Sequence, residues 1–150
     1  MRKTNSGAHD RNFWFLVVPF VICSLLSSCT SGTKDIELAK QGVERFHSQL
    51  DSERYEALYV GADEKFHNAT TEPDFTKLLE AIHGKLGTVR GSNLRNASIG
   101  WFAGQGATVT LVYDTTFSDG SATEQFLWHI SDNRALLYGY HINSNDLITK

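Results

Sequence analysis

Histidines are the side chains here whose type suits them to chemistry, because an imidazole exchanges a proton near neutral pH. His47 and His83 each follow an apolar residue, Val43 and Leu79, by four positions, which puts both at the edge of a buried helix face. His129 and His141 alternate with apolar residues on strand-like runs, and Asp114 stands on a third such run. A shared metal ion does not fit them. If Trp128 pairs with Tyr138, His129 faces Leu137 and His141 lies four residues further along, so at about 3.3 Å per residue the imidazoles start roughly 13 Å apart. Asp114, Gln125 and His141 would fall on one row across three strands, a polar ladder on the sheet surface. No Cys-His ligand spacing, glycine-rich phosphate loop or nucleophile elbow occurs, so neither metal nor cofactor is expected. The aromatics Tyr55, Trp101, Tyr113, Trp128, Tyr138 and Tyr140, with Phe126, could line a pocket for a small apolar ligand or fill a solid core.

Helices and strands must position these groups. From Asp35 to Leu50, Ile36, Ala39, Val43, Phe46 and Leu50 form one stripe of an amphipathic helix. Asp51-Ser52 offers a cap for a short second helix carrying Tyr55, Leu58 and Tyr59, stopped by Gly61. Thr71 caps a third helix. Glu72, Pro73 and Asp74 suit its first turn, and Phe75, Leu78, Leu79, Ile82 and Leu86 make its stripe before Gly87. After Gly91 the apolar period changes to two, which predicts strands at 92–102, 107–117, 122–131 and 135–143. The connections are short and Asp119-Gly120 is a hairpin signal, so the sheet is expected to be antiparallel. The predicted class is α+β, with helices packed on a curved four-stranded sheet.

Alternation separates the sheet faces. With Ser118 paired to Ser121, one face carries Val109, Leu111, Tyr113 and Phe117, then Phe126, Trp128 and Ile130, then Leu136, Tyr138, Tyr140 and Ile142. That face is expected to hold the helices. It is expected to contain no Asp, Glu or His; Asp119 and Asp132 belong to turns and Asp114 points outward. Without an interior acid or base, catalysis would fall to a helix histidine, His47 or His83, with Tyr55 or Tyr138. On the outer face, Val112, Leu127 and Leu137 could form an apolar strip for a second copy or a partner protein.

Ahead of this domain, Arg2, Lys3 and Arg11 precede a run of 16 uncharged residues, Phe13 to Ser28. The run is too short for a spanning helix, for which about 20 apolar residues are needed, and is interrupted by Pro19; its layout is that of a secretory signal. Leu26-Ser27-Ser28-Cys29 resembles the lipobox of bacterial lipoproteins. The resemblance implies that residues 1–28 are removed, that Cys29 carries a diacylglycerol, and that 29–34 tether a single domain, 35–150, to the membrane. Attachment by two or more acyl chains would be stable, at about 0.8 kcal/mol per buried methylene. Thr30, where retention at the inner membrane prefers Asp, implies the outer membrane, facing the periplasm. Cys23 would leave with the signal, so no disulfide is expected within the mature chain.

The 150 residues hold 14 Lys+Arg, 17 Asp+Glu and 41% apolar residues, a globular composition that excludes disordered and disulfide-stapled classes. Removing Arg2, Lys3, Asp10 and Arg11 leaves 11 basic and 16 acidic residues, which argues against nucleic acid as a partner. The stretches Leu50-Asp51-Ser52-Glu53-Arg54-Tyr55-Glu56-Ala57-Leu58-Tyr59 and Tyr138-Gly139-Tyr140-His141-Ile142-Asn143-Ser144 resemble the nuclear-transport-factor-2-like superfamily, in particular its bacterial lipoproteins. The resemblance implies an α+β cone whose interior often forms a pocket, homodimers packed through the sheet, and members that bind as well as members that catalyse. The expected function is therefore a lipid-anchored envelope protein that binds a small apolar ligand or a protein partner without catalysis. An isomerase- or cyclase-like enzyme and an inhibitor or immunity-type protein are the alternatives.

Overall fold

The computed structural model describes residues 30–102 and 106–149. The apolar run at 13–28 and Cys29 lie outside the described residues. The chain divides into two compact units after Ser31, and the second, Gly32–Lys150, holds the fold described below.

Four helices precede the sheet: α1 (Thr30–Asp51), α2 (Tyr55–Val60), α3 (Glu64–Ala69) and α4 (Glu72–Leu86). In α1 the stripe Ala39, Val43, Phe46 and Leu50 is buried, as its spacing requires. Residues 30–34, read as part of the tether, are helical, so each advances the chain about 1.5 Å. Helix α3 was not expected. Asp63 starts it by accepting a hydrogen bond from the Lys65 amide at 2.9 Å, and Phe66 is its buried anchor. In α4, Thr71 accepts from the Asp74 amide, and Phe75, Leu79, Ile82 and Leu86 are buried, whereas Leu78 is exposed. Gly87 ends α4 at φ 78°, and a Cβ there would meet Ser118 Oγ at 1.9 Å, so both the backbone and the space require glycine. Among the described residues no helix is long and apolar enough to cross a membrane.

Strands β1 (Val89–Phe102), β2 (Gly106–Phe117), β3 (Ser121–Ser131) and β4 (Arg134–Asn143) form one antiparallel sheet in sequence order, and a short helix α5 (Asp146–Thr149) follows. The α+β class stands as the period change predicted. The register at the β2–β3 turn differs by two residues: Thr116, not Ser118, pairs with Ser121. The turn is drawn elsewhere, because the Ser118 and Asp119 amides donate to the carbonyls of Thr88 and Leu86 at the end of α4. A two-residue slip keeps the faces but changes the rows, so Asp114 pairs with Thr123 and Gln125 lies between Val112 and His141.

The second difference changes a face. Between Leu127 and Trp128 the β3–β4 register shifts: Leu127 pairs with Gly139 and Trp128 with Leu137, leaving Tyr138 as the extra residue of a bulge. Leu137 therefore points into the core at 3% exposure, and Leu136 and Tyr138 leave the inward set; Tyr140 and Ile142, beyond the bulge, pack against the core as expected. The apolar strip on the outer face loses Leu137 for the same reason.

Candidate functional site

The core is aromatic where α1 crosses the sheet. Phe46 meets Phe126 edge-on at 5.1 Å and Tyr140 at 4.8 Å, while Phe126 stacks near-parallel with Trp128 at 6.1 Å and meets Tyr113 at 6.2 Å. Of the six aromatics read as a pocket lining, the fold thus gathers Tyr113, Trp128 and Tyr140 around Phe126. The other three lie apart. Tyr55 is buried in α2, Trp101 is 66% exposed near the end of β1, and Tyr138 stands in the bulge beside His129. Burial raises the phenol pKa of Tyr55, Tyr113 and Tyr140, reinforced in each by nearby glutamates.

An acid does lie inside, against the sequence expectation. Glu124 is two residues before Phe126 on the inward face of β3 and is fully buried. Its Oε2 takes hydrogen bonds from His47 Nε2 at 2.8 Å and Thr115 Oγ1 at 2.5 Å, and its Oε1 takes one from Tyr140 at 2.7 Å. Helix α1 supplies His47, and β2, β3 and β4 supply the other three, so the network pins the helix to three strands. An ionised carboxylate is acceptor-only, and here three donors from three elements converge on it. Burial, then the Glu124 charge, then the hydrogen bond to it hold the Tyr140 phenol well above its ordinary pKa, so it stays a donor.

A second pair sits at the β4 edge. His129 Nδ1 is 2.6 Å from Asp63 Oδ2, and the Asp63 amide donates to the Leu137 carbonyl, which ties the α2–α3 junction to the edge strand. Burial by itself would raise the Asp63 carboxyl, but the hydrogen bonds from His129 and the Lys65 amide outweigh it and hold the pKa below the ordinary value. The His129 side chain is 23% exposed. The other polar candidates stay separate: Asp114 accepts from Thr123, His141 is exposed, and His83 on α4 has Nδ1 3.9 Å from Glu53.

Two clefts adjoin along α1, with α2, β3 and β4 supplying their other walls. The inner one, about 180 Å³, is lined by Gly42, Phe46, Leu58, Trp128 and Leu137, with Arg45 and Gln49 among its polar walls. The outer one, about 360 Å³, shares Arg45 and Gly61 with it and adds Arg134 and Asn133. Gly42 makes room for the indole, since a Cβ there would stand 3.1 Å from three Trp128 ring atoms. A third cleft, about 530 Å³, is more open and polar, bordered by Asp114, Thr123, Asn143 and Asp146. The interior carboxylate had a sequence signal, its parity with Phe126; Leu137, a wall of the inner cleft, faces inward through the β4 bulge, of which Gly139 was the one local sign.

No curated protein matches the chain. A family model described as a protein of unknown function, DUF4019, matches residues 43–140, which run from the middle of α1 into β4 and include His47, Asp63, Thr115, Glu124, Trp128 and Tyr140. That match covers well over half of the 150 residues, and the chain belongs to the DUF4019 family.

Proposed function

We propose that the protein is a lipid-anchored component of the bacterial envelope, held by Cys29 and facing the periplasm, that binds a small ligand and does not catalyse a reaction. The anchoring rests on Leu26-Ser27-Ser28-Cys29 and the charged, then apolar, segment before it. Binding without catalysis rests on one contrast: the interior acid is closed off and saturated, while the α1 clefts, whose walls do not include it, hold open space. A general base must reach a substrate, and Glu124 is occupied by three donors with no exposed surface. The His47 ring is committed to that same carboxylate, which removes one of the two helix histidines weighed for an isomerase-like role.

One observation favours a second reading. Asp63 fixes His129 through Nδ1, the arrangement that sets up an imidazole for proton transfer through Nε2. Native mass spectrometry of the protein extracted from envelopes separates the two. A small molecule retained at stoichiometric level and released on denaturation supports binding. An empty protein whose turnover of an envelope extract is lost in His129→Gln overturns it.

A further inference from the structure

Helix α1 begins at Thr30, one position after Cys29, so the fold follows that cysteine without an extended spacer. The start of α1 packs directly on the sheet: a Cβ at Gly32 would stand 3.2 Å from Ile99 Cδ1, near the end of β1. Three residues carry the chain from Gly32 back to Cys29, a reach of about 11 Å at most in any backbone conformation. A membrane that holds Cys29 therefore lies close to the end of the sheet where β1 finishes. That end carries an exposed indole. Ile99 pairs with Val109 and Trp101 with Ala107, so both share the core-side face with those buried residues. They stand two positions, about 7 Å, apart along the strand. Ile99 lies against α1 and packs on the core, whereas Trp101 is 66% exposed, the one aromatic left exposed among the described side chains. A lone exposed apolar residue is ordinary on a protein surface, but this one stands beside the attachment point. An indole joins a broad apolar ring to one N–H donor, and such rings are enriched at the headgroup level of membranes, where one side is dry and the other wet.

We propose that Trp101 is a second contact with the lipid surface: its ring enters the headgroup layer beside the Cys29 lipid and holds the domain in one orientation, with the polar cleft bordered by Asp114, Asn143 and Asp146 turned to the aqueous side. This rests on the anchoring at Cys29 proposed above and adds to it where the folded domain meets the membrane. The two ends of the sheet differ as the orientation requires. Asn93 and Asp114, which pair eight residues before Trp101 and Ala107, both line the polar cleft, so it lies about 25 Å along the sheet from the indole. Acyl chains at one residue hold a protein at the surface but leave its tilt free. A ring embedded from a different strand removes that freedom.

The test uses the protein extracted from envelopes and held in lipid nanodiscs, with Cys29→Ser as the reference. The difference in emission between wild type and Trp101→Phe isolates Trp101, because Trp128 is buried and common to both. Lipids spin-labelled at the headgroup are expected to quench Trp101, and aqueous iodide to quench it about threefold less than in Cys29→Ser. A dye on Asn145→Cys, an exposed position at the polar cleft, is expected to keep a narrow distance from acceptors at the bilayer surface, and Trp101→Ala to broaden it. Trp101 open to iodide and untouched by spin-labelled lipid overturns the proposal. So does a ring shielded from iodide without quenching by lipid, which assigns its cover to a second copy of the chain, and so does a distance distribution that Trp101→Ala leaves unaltered. The mass of the wild-type protein separates the two failures: with a diacylglycerol on Cys29 the anchoring reading survives these results, and without one both fail.

Discussion

Replacing Tyr140 by Phe removes one hydroxyl from the interior network and little else. The ring keeps its contacts with Phe46 at 4.8 Å and Phe126 at 5.1 Å. Glu124 Oε1 loses the single hydrogen bond that it receives among the described residues, in a site with no access to water. A hydrogen bond to a charged group contributes about 1.5–3 kcal/mol, and the stranded oxygen keeps its desolvation cost, so Tyr140→Phe is expected to destabilise by about 2 kcal/mol. For a unit of this size that is roughly 8 °C in Tm. Urea unfolding, followed by the fluorescence of buried Trp128, measures the difference. The pH dependence sharpens the test. The folded-state pKa of Tyr140 is raised above its unfolded value, so the stability it confers is complete below about pH 10 and is lost as pH rises beyond it. The gap between wild type and Tyr140→Phe is therefore constant from pH 7 to 9 and narrows above about 10. A variant within 0.5 kcal/mol of wild type at pH 7, on the scale of ordinary surface substitutions, refutes the claim that the Tyr140 hydrogen bond to the buried carboxylate stabilises the fold.

Asp63→Ala removes both a helix cap and the His129 partner, and is expected to cost about 2 kcal/mol at neutral pH. Because the folded-state pKa of Asp63 is depressed, its contribution is present above about pH 4 and lost as pH falls through the lower folded value, so wild type and variant converge in acid unfolding. Gly87→Ala forces a side chain into positive φ and against Ser118 and Asp119, at a cost of about 2 kcal/mol by thermal unfolding. Cys29→Ser is expected to move the protein from the membrane to the soluble fraction; a variant that remains in the membrane contradicts lipid anchoring at that residue.

The parts legible from sequence are those where one period runs unbroken. In α1 every third or fourth residue from Ala39 to Leu50 is apolar and buried, and in β2 alternation carries from Ala107 to Phe117. Strand β4 breaks the rule because one extra residue, Tyr138, reverses parity beyond it; Gly139, which a regular strand has little use for, was the local sign of irregularity. The loop register failed for another reason: Asp119-Gly120 suggested a tight hairpin, but backbone bonds to Leu86 and Thr88 draw the turn towards α4. Glu124 was hidden by its charge. Its parity is that of Phe126 and Trp128, yet only the placement of His47, Thr115 and Tyr140 makes a buried carboxylate affordable there. Helix α3 spans six residues with one buried anchor, Phe66, too few for a helical period to show.

The central claim is that the α1 clefts, and not the interior carboxylate, are where this protein works. Native mass spectrometry of Tyr140→Phe and Arg45→Met, each extracted from envelopes beside wild type, tests it in one comparison. The account predicts that Tyr140→Phe keeps the co-purifying small molecule despite its lower stability, whereas Arg45→Met loses it. Loss in Tyr140→Phe with retention in Arg45→Met would place the function at Glu124 and contradict the account.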